Sequence, residues 1–223
     1  MCGRYNVIDD DDISRLMSRL GLEAKPQERR NVAPGAYGQF VVERAGTRQL
    51  VDGMWSLLIE PKPDGREEFR PNPKFSTLNA RSDRLKSSPL WRKRYARQRC
   101  VVPASAFHEW VGKQCYNVRQ AGQALALGGL YETWQYGDVV VPSFTIVTLP
   151  PHPRFAHIHH KSLPLMLEPD SFDAWLDPTF TSVEAFDDLL RPVLRHALLA
   201  RPIDSPKTLS PVGATEEIAA DLE

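Results

Sequence analysis

Residues 39–58 read QFVVERAGTRQLVDGMWSLL. Positions 39–44 and 49–58 are rich in Phe, Val, Leu and Trp, which suit a half-buried pleated surface. Ala45-Gly46 between them is a turn signal, so the stretch predicts a β-hairpin. Outward from it the pattern recurs. Residues 100–106 form a short apolar run that predicts a buried strand, and residues 116–119, 123–131 and 139–149 continue the β-rich character. Helices are fewer. Aspartates fill positions 9–12, and Ile13, Leu16, Met17 and Leu20 follow at the i, i+3, i+4, i+7 spacing of an amphipathic helix. The acids sit where a helix N-terminus favours negative charge, and Gly21 is its stop. Residues 171–176 and 182–190 also read as helices. Residues 60–76 are polar and proline-punctuated and predict a loop, while the acidic end, 215–223, predicts a frayed tail.

Of the 223 residues, 42% are apolar and 25% charged, ordinary values for a soluble chain that buries its own core. One domain over residues 1–223 is the expectation. The 28 Lys+Arg balance 28 Asp+Glu, so no global field attracts nucleic acid and any such site is a local patch. Three cysteines at irregular spacing form no disulfide framework and fit a reducing cytosol. No apolar run approaches the roughly 20 residues that cross a membrane, and the early aspartates spoil a secretory signal. A cytoplasmic monomer is expected, nucleoid-associated when bound to DNA.

Five features carry chemistry. Cys2 becomes the N-terminal residue once Met1 is trimmed, presenting a thiol and an α-amine on one framework. Their reference pKa values are about 8.5 and about 7.7–8.0, so part of the amine is neutral near pH 7. Such a 1,2-aminothiol condenses with an aldehyde to a Schiff base and then closes a thiazolidine, which an internal cysteine cannot do. Asn79-Ala-Arg81 fits a turn; it also offers an amide for hydrogen bonding and a cation for phosphate. Glu109, within Phe107-His-Glu-Trp110, is a carboxylate between aromatics and suits general acid or base work. His152, His157, His159 and His160 form the densest histidine cluster. A zinc site needs further ligands, and Cys100 and Cys115 lack the spacing to supply them, so one catalytic histidine is preferred over a metal. Finally, Arg84, Lys86, Arg92, Lys93, Arg94, Arg97 and Arg99 form a basic stretch with no acid among residues 84–99 and with Trp91 and Tyr95 interleaved. Cations with interleaved aromatics suit a nucleic-acid backbone.

Taken in order, these segments resemble one family. MCGRY at residues 1–5 looks like the M-C-G-R-[FY] opening of the SRAP family, the SOS response-associated peptidases. RNVAP at 30–34, MWS at 54–56, NAR at 79–81, FHEW at 107–110 and IHHKSLP at 158–164 are similar to its later motifs, covering roughly residues 1–170. The resemblance implies a mixed α+β fold with a β-barrel-like core flanked by helices and a groove for single-stranded DNA. It implies covalent capture of abasic sites through Cys2, without a cofactor or metal. Asn79 would position the amine or opened sugar, Glu109 would serve as acid/base, and a histidine would assist ring opening. Anchoring on Ile158 selects His159; anchoring on Pro164 selects His160; His159 is preferred because Ile-His stays intact. Arg4, Asn31, Pro34, Trp55, Arg81 and Trp110 would line the DNA site. Three departures stand out. The histidine segment is one residue longer than the family's plain form, which is why the two anchors differ. Asp83 replaces a frequent glutamate, and residues 56–76 lack a second tryptophan cluster. The alternatives are a cysteine peptidase or amidohydrolase using Cys2 and His159, and a non-covalent reader of damaged or modified DNA.

Overall fold

The structure, a computed structural model, describes residues 3–63 and 68–221. Cys2, on which the expected chemistry rests, lies outside the described residues. The chain runs β1 (Arg4–Val7), α1 (Asp11–Arg19), β2 (Arg29–Val32), β3 (Tyr37–Arg44), β4 (Thr47–Trp55), β5 (Ile59–Pro61) and β6 (Phe69–Pro71). It continues through β7 (Asn79–Arg81), α2 (Pro89–Arg97), β8 (Arg99–Ala104), β9 (Ala106–Val111), β10 (Gln114–Gln120) and β11 (Leu125–Tyr136). Then follow β12 (Val139–Leu149), β13 (Leu163–Pro164), α3 (Phe172–Leu176), β14 (Leu198–Ile203) and β15 (Glu216–Ile218). Among the described residues no helix is long and apolar enough to cross a membrane.

The hairpin read from residues 39–58 forms as β3 and β4. Ala45 (φ 50°) and Gly46 (φ 74°) both take positive φ, the signature of a two-residue turn whose twist matches its strands. The strands pair from Arg44↔Thr47 to Tyr37↔Met54. The hairpin then becomes part of a closed ring, β11–β8–β3–β4–β12, shut by the β11–β12 pairing. All its neighbours are antiparallel except β4 and β12, where Met54 and Trp55 run parallel to Ser143 and Phe144. Gly129 permits the closure: a Cβ there would stand 2.6 Å from the Thr145 carbonyl oxygen. Phe40, Phe144 and Trp55 fill the ring, with ring centroids 5.1 and 6.4 Å apart along the series.

A six-stranded sheet, β15–β14–β10–β9–β1–β2, lies against the barrel. Tyr5 of β1 packs edge-on against Trp55 at 5.3 Å, and both are fully buried. Burying a large side chain is worth roughly 1.5–3 kcal/mol, so this contact fixes where β1 begins. Helix α1 forms as the aspartates dictate. Asp10 accepts from the Ile13 amide at 2.9 Å, Asp11 and Asp12 occupy the first turn, and Gly21 follows at φ 74°.

Three expectations are corrected. Residues 60–76 hold a small sheet, because Glu60 pairs with Arg70 across β5–β6 by side chain and backbone. Residues 182–190 make a short tight helix, Val183–Phe186, followed by turns rather than a full α-helix, since a single side chain there, Phe186, is buried and that is too little to hold one. The acidic end does not fray at 216–221. β15 pairs with β14, Ile218 is buried, and Asp221 accepts from the Leu194 amide at 3.0 Å.

Candidate active site

Strand β9 carries the FHEW motif. Alternation puts Phe107 and Glu109 on one face and His108 and Trp110 on the other. Phe107 meets Phe155 edge-on at 5.9 Å. Phe155 ends a tight turn, Pro153–Phe155, and its carbonyl accepts from the amides of Ile158 and His159 at 3.0 and 2.9 Å. That turn delivers His159 to Glu109, with Nδ1 and Oε2 3.0 Å apart. His160 stacks on His159 at 6.3 Å but its ring is exposed and makes no hydrogen bond among the described residues. Of the two sequence alternatives, His159 is the one that reaches the carboxylate.

Glu109 is 3% exposed. Its second oxygen, Oε1, is buried with no hydrogen-bond partner among the described residues. A half-satisfied buried carboxylate is costly, and native proteins keep such groups where they have a task.

Asn79 enters from another direction. β7 runs parallel to β12, with Asn79 opposite Ile146 and Arg81 opposite Thr148. The chain before it is locked to the barrel: Trp55 Nε1 donates to the Leu78 carbonyl at 2.8 Å, and the Ser56 and Thr77 hydroxyls are 3.1 Å apart. Trp55 therefore does not line a nucleic-acid surface as expected. It has no exposed area and supports β1 and β7 from beneath.

Asn79 and Arg81 line a groove of about 690 Å³ together with Thr148, Lys161 and Ser162. Lys161 and Ser162 directly follow His160, so the groove and the Glu109–His159 pair share one loop. Arg81 forks onto Asp83 through Nε (3.1 Å) and Nη2 (2.6 Å). This bidentate bond holds the Asp83 carboxyl below its usual range and raises Arg81 further. The guanidinium stays exposed at the groove but is aimed.

At β1, Arg4 stands opposite His108, two residues after Cys2, and its Nη1 donates to Asn31 Oδ1 at 2.8 Å. Asn31 adopts φ 57°, a conformation asparagine tolerates. Pro34 sits in the turn that follows, tied to the barrel by Gly35 N to Trp55 O at 2.8 Å. Trp110, next to Glu109, is 37% exposed. Arg4, Asn31 and Trp110 thus lie where β1 meets β9 on the sheet face opposite Glu109, while Asn79 and Arg81 come from β7.

The basic stretch is not the stacking surface expected of it. Its periodicity makes α2, and the aromatics are the helix's buried stripe. Trp91 is 8% and Tyr95 1% exposed, Tyr95 packing against Trp175 and Phe186. Arg94 pairs with Glu132 at 2.8 Å and Lys86 with Asp187 at 2.5 Å. Of the helix's basic residues, Arg92, Lys93 and Arg97 face solvent.

The histidines disperse: His152 bonds Asp221 at 2.9 Å and His157 pairs with Glu216 at 2.9 Å. Cys100 and Cys115 are both buried. Burial pushes the Cys100 thiol well above its ordinary range and the Cys115 thiol to about 11, so neither supplies a thiolate. Sequence reasoning missed Phe75, 58% exposed beside groove residue Ser76, and Thr148, Lys161 and Ser162. Lys161 and Ser162 stood inside the IHHKSLP segment; Phe75 carried no local signal beyond its place just after Pro71 and Pro73.

The family model described as "SOS response associated peptidase (SRAP)" matches residues 1–206. Abasic site processing protein YoaM of Bacillus subtilis is 27% identical over 206 residues, covering 86% of each chain. Abasic site processing protein YMR114C of Saccharomyces cerevisiae is 30% identical over 171 residues, 73% of this chain and 44% of its own. A crystal structure of a Bordetella bronchiseptica protein shares the fold at TM-score 0.69 and 22% identity, over 92% of this chain and 100% of that one. With the family match spanning the barrel, the six-stranded sheet up to β14 and the Glu109–His159 pair, the chain belongs to the SRAP family.

Proposed function

We propose that this protein captures abasic sites in single-stranded DNA covalently through Cys2. The observation that carries the reading is the buried Glu109–His159 pair, whose second carboxylate oxygen has no partner among the described residues. It lies on the strand that pairs with β1, the strand leading back to Cys2. The curated relatives are named abasic site processing proteins.

In this reading Met1 is removed and the Cys2 amine attacks the opened sugar's aldehyde. Water leaves and a Schiff base forms. The Cys2 thiol then adds across the C=N bond, its proton passing to nitrogen, and the thiazolidine closes. Closure removes the iminium that would otherwise promote strand cleavage. Glu109 accepts and returns the proton at Oε1, and His159 holds the carboxylate and assists ring opening. Asn79 positions the amine or sugar. Arg81 and Arg4 meet phosphates, Asn31 and Pro34 shape the edge, and Trp110 offers a stacking face.

Purified protein incubated with a single-stranded oligonucleotide bearing one abasic site is expected to give a slower species on a denaturing gel, abolished by Cys2→Ala. Equal yield from Cys2→Ala and wild type, or no shifted species, refutes the reading.

A further inference from the structure

The six-stranded sheet has a second face, turned away from Glu109. Its residues alternate with those of the core face: Arg4 and Asn6 on β1, Ala106 and His108 on β9, Asn117 and Arg119 on β10, Arg201 on β14. The register aligns them, with Asn6 opposite Ala106 and Asn117 between His108 and Arg201. Here the sheet forms a cleft of about 270 Å³, lined by Asn6, Ser105, Asn117, Arg119, Arg201 and Leu209. Ala106, also on the lining, is the smallest side chain β9 presents to it and leaves the depth open.

The cleft is polar in an unusual way. Asn6 is 2% exposed, yet its Oδ1 has no hydrogen-bond partner among the described residues. The Oδ1 of Asn117 is likewise buried and unpartnered among them. Turning either amide over exchanges oxygen for nitrogen and still leaves a polar atom there to satisfy. Two amides left this way on adjacent parts of one cleft would each cost free energy unless something binds them. Two cations flank them. Arg119 makes no ion pair among the described residues, and Arg201 bonds only the Thr215 hydroxyl, at 2.8 Å. The carboxylates at the far end are engaged: Asp10 caps α1 and Asp12 pairs with Arg15.

The wall is built rather than loose. Leu209 holds φ 61°, strained for a branched residue. Its loop is braced by Asp204, which accepts from Ser205 N, Thr208 Oγ1 and Ser210 N at 2.6, 2.7 and 3.0 Å. Those bonds hold the Asp204 carboxyl below its usual range.

We propose that this cleft is a second ligand site, and that it binds a nucleotide. Side-chain amides read the donor and acceptor edge of a base, and unpaired guanidinium groups fork onto phosphate oxygens. An anion without a hydrogen-bonding ring would satisfy Arg119 and Arg201 but leave Asn6 and Asn117 as they are. The nucleotide comes either free or as one unit of a DNA strand. The inference rests on the geometry of this face and not on the chemistry at Glu109.

Calorimetric titration of the full chain with dAMP and with inorganic phosphate tests it. dAMP is expected to bind at least 10-fold more tightly than phosphate. The double variant Arg119→Glu/Arg201→Glu, both exposed positions, is expected to weaken dAMP at least 10-fold, and Asn117→Ala to weaken dAMP but not phosphate. Fluorescence anisotropy with an intact single-stranded oligonucleotide separates the sources. A parallel loss assigns the site to a strand's nucleotide, and an unchanged affinity assigns it to the free one. Phosphate binding as tightly as dAMP, no dAMP binding, or dAMP binding unaffected by the variants overturns the proposal. Cys2→Ala is expected to bind dAMP like wild type, and the arginine variants to crosslink normally at saturating abasic oligonucleotide, so the two readings fail separately.

Discussion

Arg99 and Glu109 are both buried charges, ten residues apart in sequence, and they are treated in opposite ways. Arg99 is 2% exposed and has no carboxylate in ion-pair contact among the described residues. Its Nε donates to the Trp175 carbonyl, Nη1 to those of Tyr95 and Ala96, and Nη2 to those of Asp177 and Phe180, all between 2.6 and 2.9 Å. The guanidinium's fork is filled, and its face lies 5.0 Å from the Phe186 ring centroid. Burial still lowers its pKa to about 10, which leaves it charged at neutral pH. Glu109 has one oxygen on His159 and the other unpartnered among the described residues. A buried charge with every valence used ties segments together. One with a valence left over is held ready for something that arrives.

The largest effect expected from this contrast is at Arg99. Arg99→Met keeps the apolar stem but takes the guanidinium donor from five carbonyls of α2, α3 and the turns beyond. The cost is about 3–5 kcal/mol in denaturant unfolding, enough to unfold a marginal protein. A loss under about 1 kcal/mol would mean that water takes over the fork and that Arg99 is no tie.

His108 sharpens the contrast from a third side, because it escapes the cost by staying neutral. It has no exposed surface, and neither ring nitrogen makes a well-formed hydrogen bond among the described residues. Burial first, then the nearby Arg4 charge, lowers its pKa to about 4, offset in part by the Tyr116 backbone. The unfolded chain binds this proton near pH 6.5, the folded chain only near 4. Stability from this residue is therefore complete above about pH 6.5 and is lost as pH falls toward 4, by roughly 3 kcal/mol. His108→Phe, an aromatic ring of similar shape that does not titrate, is expected to flatten the stability profile over that window. An unchanged acid slope in urea titrations at pH 7, 5.5 and 4.5 would remove His108 from the account.

These particulars show which parts of the molecule were legible in sequence. The β3–β4 hairpin was readable because Ala45-Gly46 is a local turn signal, and α1 because its cap, acids and apolar spacing agree. Glu109 and Asn79 were readable only as motif members, since what brings them near one loop is the β1–β9 and β7–β12 pairing across long sequence separations. The basic stretch misled for a physical reason. Charge along a chain does not say which side of a helix it occupies, and Trp91 and Tyr95 supply α2 with its apolar stripe. Trp55 misled similarly: a tryptophan in a motif can be the floor of a site rather than its surface. The outer cleft was invisible, because Asn6, Asn117 and Arg201 belong to three strands that only the sheet aligns.

The smallest expected effect, and the one most specific to the contrast, is at Glu109. Glu109→Gln keeps the shape and one acceptor for His159 while removing a charge that the fold does not fully satisfy. Stability is expected to stay within about 1 kcal/mol of wild type or to rise, because replacing an under-satisfied buried charge relieves its desolvation. The rate of crosslink formation on an abasic oligonucleotide is expected to fall about 100-fold, the low end of what a positioned acid/base contributes, equivalent to about 2.7 kcal/mol of activation free energy. Arg99→Met loses stability, whereas Glu109→Gln loses rate alone. If Glu109→Gln instead unfolds the protein as Arg99→Met does, Glu109 is a structural tie whose partner is His159, and the carboxylate has no part in the chemistry at Cys2.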